Sequence, residues 1–167
     1  MLFRSVDDRF LGHMTNLGQI ERGNVVVVRN GTVEYVKRIA GVPGDRISME
    51  RGVVLLNGLR VEQSRRETAS AIPSTGGSGS VVLDERFPDE RRSHQILDVG
   101  VTPQDDWPEV TLGAGQYVVL GDNRDNSLDS RFPSEAGGLG IVARDQIVGS
   151  VLFRYWRKGV GFAEGQL

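Results

Sequence analysis

Residues 24–39 read NVVVVRNGTVEYVKRI, and this stretch decides the fold class. Two runs rich in β-branched residues flank Asn30-Gly31, a dipeptide that favours a two-residue type I′ hairpin turn. We therefore predict a β-hairpin here. Side chains alternate between the two faces of a strand, so Lys37 is expected to share its face with apolar neighbours, namely Val33, Tyr35 and Ile39.

The hairpin signature recurs further along the chain. In residues 53–62, Asn57-Gly58 again separates two short strand-like runs, and residues 116–120 and 146–156 are also rich in strand-forming residues. Helical periodicity is weak throughout. The pattern predicts one mainly β domain over residues 1–167, an antiparallel sheet or barrel-like assembly.

Residues 63–111 differ in character from their surroundings and are predicted to form a variable insert. They contain a Pro-Ser-Thr-Gly-Gly-Ser-Gly-Ser tract at residues 73–80. No Lys-Ser or Lys-Thr follows this tract and no helix pattern begins there, so a linker is favoured over a phosphate-binding loop.

The composition excludes several functional classes. The net charge is −2 and the 20 basic residues are scattered, which argues against a nucleic-acid partner. The absence of cysteine excludes disulfides, thiolate metal sites and a cysteine nucleophile. The longest uninterrupted apolar run, Val25 to Val28, is far shorter than the ~20 residues of a membrane-spanning helix. We expect any membrane anchor to lie outside this chain.

Lys37 is the first candidate for chemistry. Burial of an ammonium group without a partner is costly, so a lysine on an apolar face tends to lose its proton. A neutral amine can then take a proton from a serine hydroxyl, as in Ser-Lys hydrolases. The alternative is an edge-strand lysine whose ammonium reaches into water.

The second candidate is residues 121–131, GDNRDNSLDSR, which follow the apolar run 117–120. Such a concentration of hydrogen-bonding groups at a strand end indicates either a functional site or a rigid, solvated turn.

Together, two motifs resemble those of bacterial signal peptidase I. Residues 37–45, KRIAGVPGD, match the family's Lys-Arg-hydrophobic-x-Gly-x-Pro-Gly-Asp box, and residues 121–131 match its Gly-Asp-Asn-Arg-Asp-Asn-Ser-x-Asp-Ser-Arg box. Residues 22–27 are similar to an Arg-Gly-Asp-hydrophobic strand of the family, with Asn24 in place of the aspartate. Residues 138–149 and 153–156 resemble its closing strands, so the resemblance covers about residues 19–156.

The resemblance implies a role for each matching residue. Lys37 is the general base, and the hydroxyl of Ser127 orients its amine. Arg38 pairs with Asp122 and clamps the two boxes together. A second ion pair, between Asp129 and Arg131, supports the turn. Tight backbone turns are permitted by glycines 41, 44 and 121.

One part of the family pattern is missing. The nucleophile belongs to a Ser-Met-x-Pro-Thr-like box upstream of the lysine, and the sequence contains no such box. Ser5 is the only serine before Lys37, but its neighbours do not match the box, so we reject it as the nucleophile. The same box supplies oxyanion donors. We expect this polypeptide alone not to hydrolyse peptides. N-terminal truncation is the favoured explanation, and a natural noncatalytic paralogue is the alternative.

The resemblance also implies the substrate and the location. The partners are signal peptides of secreted preproteins ending in Ala-x-Ala-like residues, cleaved at the extracytoplasmic face of the cytoplasmic membrane, with no cofactor and no metal. Three alternatives remain. They are a noncatalytic module that binds peptides by strand addition, a self-cleaving Ser-Lys repressor, and a calcium-binding module using Asp122, Asp125 and Asp129, although an EF-hand pattern fails there.

Overall fold

The computed structural model describes residues 18–65 and 81–151, and the backbone alone of residues 156–157 and 161–162. The predicted linker at residues 73–80 and the rejected Ser5 lie outside the described residues. The strands are β1 (Val25–Asn30), β2 (Val33–Gly41), β3 (Arg46–Glu50), β4 (Val53–Leu56), β5 (Leu59–Arg60), β6 (Glu62–Arg65), β7 (Val81–Arg86), β8 (His94–Asp98), β9 (Trp107–Thr111), β10 (Gln116–Leu120), β11 (Val142–Ala143), β12 (Ile147–Ser150), β13 (Trp156–Arg157) and β14 (Gly161–Phe162).

The central feature is a five-stranded antiparallel sheet in the order β11-β10-β2-β1-β12. The predicted hairpin forms β1 and β2, but the predicted type I′ turn is wrong. Asn30 pairs with Val33, so the loop residues are Gly31 and Thr32. The φ angle is positive at Gly31 (60°) but not at Thr32, which is the pattern of a type II′ turn.

A second sheet has the order β5-β4-β3-β9. The predicted hairpin at Asn57-Gly58 is confirmed, and positive φ angles at both residues (55° and 83°) fit a type I′ turn. Within the predicted insert, β6, β7 and β8 form a separate three-stranded sheet, whereas β9 returns to the second sheet. The predicted mainly β, antiparallel fold is confirmed.

Two hydrophobic clusters cover opposite faces of the five-stranded sheet. Alternate residues of β2 and β10 enter one cluster or the other, as Ala40 and Val118 enter the first and Ile39 and Val119 the second. All four of these side chains are fully buried. The continuous apolar run of β10 therefore reflects burial on both faces.

The described helical segments are three-residue 3₁₀ turns, one of which spans Arg124–Asn126. Within the part of the chain that the structure describes, no helix has the length and apolar character needed to cross a bilayer.

Candidate functional site

Lys37 lies on the central strand β2 with its side chain among apolar groups. Its partner across the sheet is Val26 of β1, which is fully buried. Tyr35 and Ile39 occupy the same face, and Lys37 Nζ lies 5.8 Å from the centroid of the Tyr35 ring. Val33, at the start of the strand, is 45% exposed, so this end of the apolar face is open to solvent.

The pairing of β10 with β2 brings the second box to Lys37. Leu120 pairs with Arg38, so the chain leaves β10 beside the lysine. The 3₁₀ turn at Arg124–Asn126 then reverses the chain, and Lys37 Nζ donates a hydrogen bond to Ser127 Oγ at 2.7 Å. Residues far apart in sequence are thereby joined at the end of a buried strand pair.

Gly121 makes this approach possible. A Cβ atom at residue 121 would lie 2.0 Å from Ser127 Oγ and 2.5 Å from Ser127 Cβ. Both distances are far below normal carbon contacts of about 3.5–4.0 Å. Since the φ angle of Gly121 is not positive, the requirement for glycine comes from the proximity of Ser127 and not from the backbone conformation.

The surroundings lower the pKa of Lys37. The main cause is burial, which disfavours the ammonium form, and the positive charge of Arg131 acts in the same direction. The carboxylates of Asp129 and Asp122 oppose this effect, but less strongly than burial. A neutral amine with an N–H group bound to Ser127 retains a lone pair that can accept a proton.

Arg38 points to the opposite face of β2 and makes the contact with Asp122 that the resemblance implies. Its Nε and Nη2 atoms donate to the two Asp122 carboxylate oxygens at 2.9 and 2.8 Å. Its Nη1 donates to the carbonyl oxygen of Gly23 at 2.7 Å. A two-point arginine–carboxylate contact fixes orientation as well as distance, so Arg38 joins β2 to the start of the second box.

Asp129 and Arg131 form a buried pair beneath the site, with side chains 0% and 1% exposed. Arg131 Nε and Nη2 donate to the Asp129 carboxylate at 2.9 and 2.8 Å. Asp129 also accepts a hydrogen bond from the backbone N–H of Gly121 at 3.0 Å. The carboxylate thereby holds the two ends of the turn that presents Ser127.

Glycine is favoured at the other two predicted positions, residues 41 and 44, for different reasons. At residue 41, a Cβ atom would lie 2.8 Å from Leu112 Cδ1, so close packing requires glycine. At residue 44, the φ angle of +94° favours glycine.

The sequence analysis gave no individual role to four further residues near the site, namely Glu85, Glu90, His94 and Arg124. Glu85, with no exposed side-chain surface, binds the Arg124 guanidinium through both of its oxygens and also contacts His94. Glu90 contacts the other ring nitrogen of His94. Burial acts to raise the pKa of Glu85, but the positive charge of Arg124 and the hydrogen bonds from His94, Arg124 and Gln63 together outweigh it and lower the pKa to about 2. This network joins the insert strands β7 and β8 to the second box.

A calcium site gains no support from the positions of the three aspartates. Asp122 binds Arg38, Asp129 binds Arg131, and Asp125 accepts hydrogen bonds from the backbone of Val99 and the hydroxyl of Thr102. Among the described residues, no group of three or more His, Asp or Glu side chains is arranged to hold a metal ion.

Comparison with known proteins gives consistent results. A family described as "Signal peptidase, peptidase S26" matches residues 5–156. Signal peptidase I of Bacillus amyloliquefaciens is 30% identical over 142 residues, which cover 84% of this chain and 59% of the relative. Signal peptidase IB of Staphylococcus aureus (strain Mu50) is 32% identical over 154 residues, which cover 87% of this chain and 65% of the relative.

A solved structure is also similar. The crystal structure of a signal peptidase I from Enterococcus faecalis V583 is 22% identical, with a TM-score of 0.47, and the match covers 81% of this chain and 99% of that chain. The match to the Bacillus amyloliquefaciens relative spans 59% of that protein's length. Because the family match covers residues 5–156, the chain belongs to the signal peptidase I family.

Proposed function

We propose that this chain is the lysine-bearing part of a Ser-Lys endopeptidase that removes signal peptides from secreted preproteins. The observation that carries the proposal is the half-buried Lys37 amine, 2.7 Å from Ser127 Oγ and with a lowered pKa. Family membership supports the reaction class. The roles of Ser127, Arg38, Asp122, Asp129 and Arg131 are to orient and support this amine.

In the proposed mechanism, the neutral Lys37 amine acts first as a base. Its lone pair takes the proton of a serine hydroxyl while the serine oxygen attacks the scissile carbonyl carbon. The resulting ammonium then gives this proton to the leaving amine of the mature protein. Water, deprotonated by the same amine, hydrolyses the acyl-enzyme. Throughout the cycle, the hydrogen bond to Ser127 keeps the amine directed at the reacting atoms.

The nucleophile in this mechanism comes from a Ser-Met-x-Pro-Thr box. None of the 167 residues forms that box, so the polypeptide alone is expected to be inactive. The substrates are preproteins with Ala-x-Ala-like residues before the cleavage site. The reaction takes place at the extracytoplasmic face of the cytoplasmic membrane, where the domain works at the membrane surface.

The test joins the chain to an upstream segment that bears a membrane helix and the Ser-Met-x-Pro-Thr box. We expect this fusion to process a preprotein, and Lys37→Met to reduce the rate by about 10²–10⁴-fold, the usual contribution of a general base. Because Met has a similar length without the amine, packing is largely kept. Processing is measured as the conversion of preprotein to mature protein in membrane vesicles.

Arg29→Met in the same fusion is the matched control, because Arg29 lies on the neighbouring strand with a half-exposed side chain. It should leave the rate unchanged. A Lys37→Met fusion as active as the control would refute the role of Lys37. A fusion that binds signal peptide but never cleaves it would favour the noncatalytic peptide-binding module.

A further inference from the structure

His94 lies between two carboxylates. Its Nε2 atom is 3.1 Å from Glu85 Oε2, and its Nδ1 atom is 3.0 Å from both oxygens of Glu90. The ring stacks on Phe87, with centroids 5.4 Å apart. All three ionisable side chains are less than 10% exposed. Water therefore has little access to the space between them.

The hydrogen-bonding rules of imidazole determine which form fits this arrangement. A neutral imidazole has one N–H donor, and its second nitrogen is an acceptor. Glu85 is ionised because it binds Arg124, and Glu90 accepts a hydrogen bond from the backbone N–H of Phe87 at 2.8 Å. With acceptors on both sides, only the doubly protonated ring makes two favourable contacts.

The charged groups around His94 come from several elements of the fold. Glu85 belongs to β7, Glu90 to the turn before β8, and Arg38, whose Nη1 atom is 3.9 Å from Glu90, to β2. Behind these residues, Arg124 binds Glu85 and Asp122 binds Arg38. When His94 is charged, the cluster holds three cations and three anions, which are His94, Arg38 and Arg124 against Glu85, Glu90 and Asp122. Loss of the His94 proton leaves the cluster with a net negative charge.

Close packing holds Glu90 in place. A Cβ atom at residue 23 would lie 2.2 Å from Glu90 Oε1, so only glycine fits there. The carbonyl oxygen of Gly23 in turn accepts a hydrogen bond from Arg38. The carboxylate that contacts His94 is thus fixed against the same segment that orients Arg38.

We propose that His94 is a positioning residue that, as an imidazolium, ties the insert strands to both boxes and so sets Lys37 relative to Ser127. One connection runs through Glu85 and Arg124 to the turn that carries Ser127. The other runs through Glu90 and Arg38 to the strand that carries Lys37. The charge state of His94 stands on geometry alone, whereas its consequence for catalysis rests on the proposed function.

The direction of the pH effect follows from the same contacts. Burial disfavours the imidazolium, but the hydrogen bonds that its ring donates to Glu85 and Glu90 outweigh this effect and raise the pKa of His94 above its ordinary value of 6.5. A group whose pKa is raised on folding stabilises the fold fully at pH values below its unfolded-state pKa. This stabilisation is lost as the pH rises through the folded-state pKa. A rise in pH through the folded-state pKa of His94 therefore weakens the connection between the insert strands and the two boxes. A rising pH also deprotonates Lys37.

The first measurement is nitrogen-15 NMR of the imidazole rings. The sequence contains only His13 and His94, so His13→Gln leaves one histidine to observe. We expect the titration midpoint of His94 to exceed 6.5, so both of its ring nitrogens should be protonated at pH 6. In Glu90→Gln, the new amide can donate to a neutral ring, so the midpoint should fall below that of the Glu90 protein. A midpoint at or below 6.5, or a midpoint unmoved by Glu90→Gln, would overturn the proposal.

The second measurement tests positioning through Lys37 itself. The chain has only Lys37 and Lys158, so the Lys37 amine can be followed by NMR titration. In His94→Gln, the site should admit water, and the Lys37 midpoint should rise towards its ordinary value of 10.5. An unchanged midpoint in a folded His94→Gln protein would reduce His94 to a local structural role. Neither result depends on proteolysis, so a failure of the Ser-Lys mechanism would leave both intact.

Discussion

Gly121→Ala tests the geometry of the site most directly. The added methyl group would lie 2.0 Å from Ser127 Oγ and 2.5 Å from Ser127 Cβ. To restore normal carbon contacts, Ser127 must move by about 1 Å or more, which breaks its 2.7 Å hydrogen bond with Lys37. Overpacking of this kind costs about 1–3 kcal/mol. We expect the free energy of unfolding, measured by urea denaturation, to fall by that amount.

Two comparisons isolate the cause of this loss. In Gly113→Ala, the new methyl group would meet the flexible end of Gln116 at 3.2 Å, so the change in unfolding free energy should stay within about 0.5 kcal/mol. In Gly121→Ala combined with Ser127→Gly, the clashing atoms are gone, and most of the lost stability should return. The reasoning is refuted if Gly121→Ala is as stable as the unmodified protein, or if the double variant recovers nothing.

Two further predictions concern buried charges. Asp129→Asn leaves the Arg131 guanidinium buried without its carboxylate and should lower the free energy of unfolding by about 3–5 kcal/mol. The control Glu34→Gln, whose partner Arg29 is half exposed, should lower it by less than about 1 kcal/mol. Similar losses for the two variants in thermal or urea unfolding would contradict the prediction. Glu85, with its pKa lowered to about 2, stabilises the fold above about pH 4.5, and about 3 kcal/mol should be lost as the pH falls from 4.5 to 2. Urea unfolding of Glu85→Gln should show a smaller loss over this range, and equal pH dependence in both proteins would count against the prediction.

Much of the fold was predictable because local signals agree with the tertiary structure. The alternation along residues 33–39 predicted that Lys37 shares a face with Tyr35 and Ile39, as the structure has it. The turn type was not predictable in the same way. Asn30-Gly31 favours a type I′ turn locally, but Asn30 pairs with Val33 and the loop shifts by one residue. The register of the paired strands decided this, and register is a property of both strands.

Part of the ion-pair network around Glu85 could have been predicted from strand alternation, the signal that identified Lys37. Alternation along residues 83–87, at the end of β7 and just beyond it, would place Leu83, Glu85 and Phe87 on one face, which is the same pattern of a charge among apolar neighbours that identified Lys37. The partners of Glu85 could not have been identified from the sequence. Arg124 lies 39 residues away in sequence, and only the packing of the insert against the second box brings it to Glu85. No local pattern encodes such a contact.

The position of Lys37 on β2 has a consequence for the dynamics of the protein. β2 and β10 lie inside the sheet, and apolar clusters cover both of their faces. Segments of this kind open only in large cooperative unfolding events, whereas exposed turns open at little cost in free energy. Amide protons of residues 38–40 and 118–120 should therefore be among the slowest in the chain to exchange with solvent. Consequently, thermal motion that frays the outer strands leaves the lysine base in place until the whole domain unfolds.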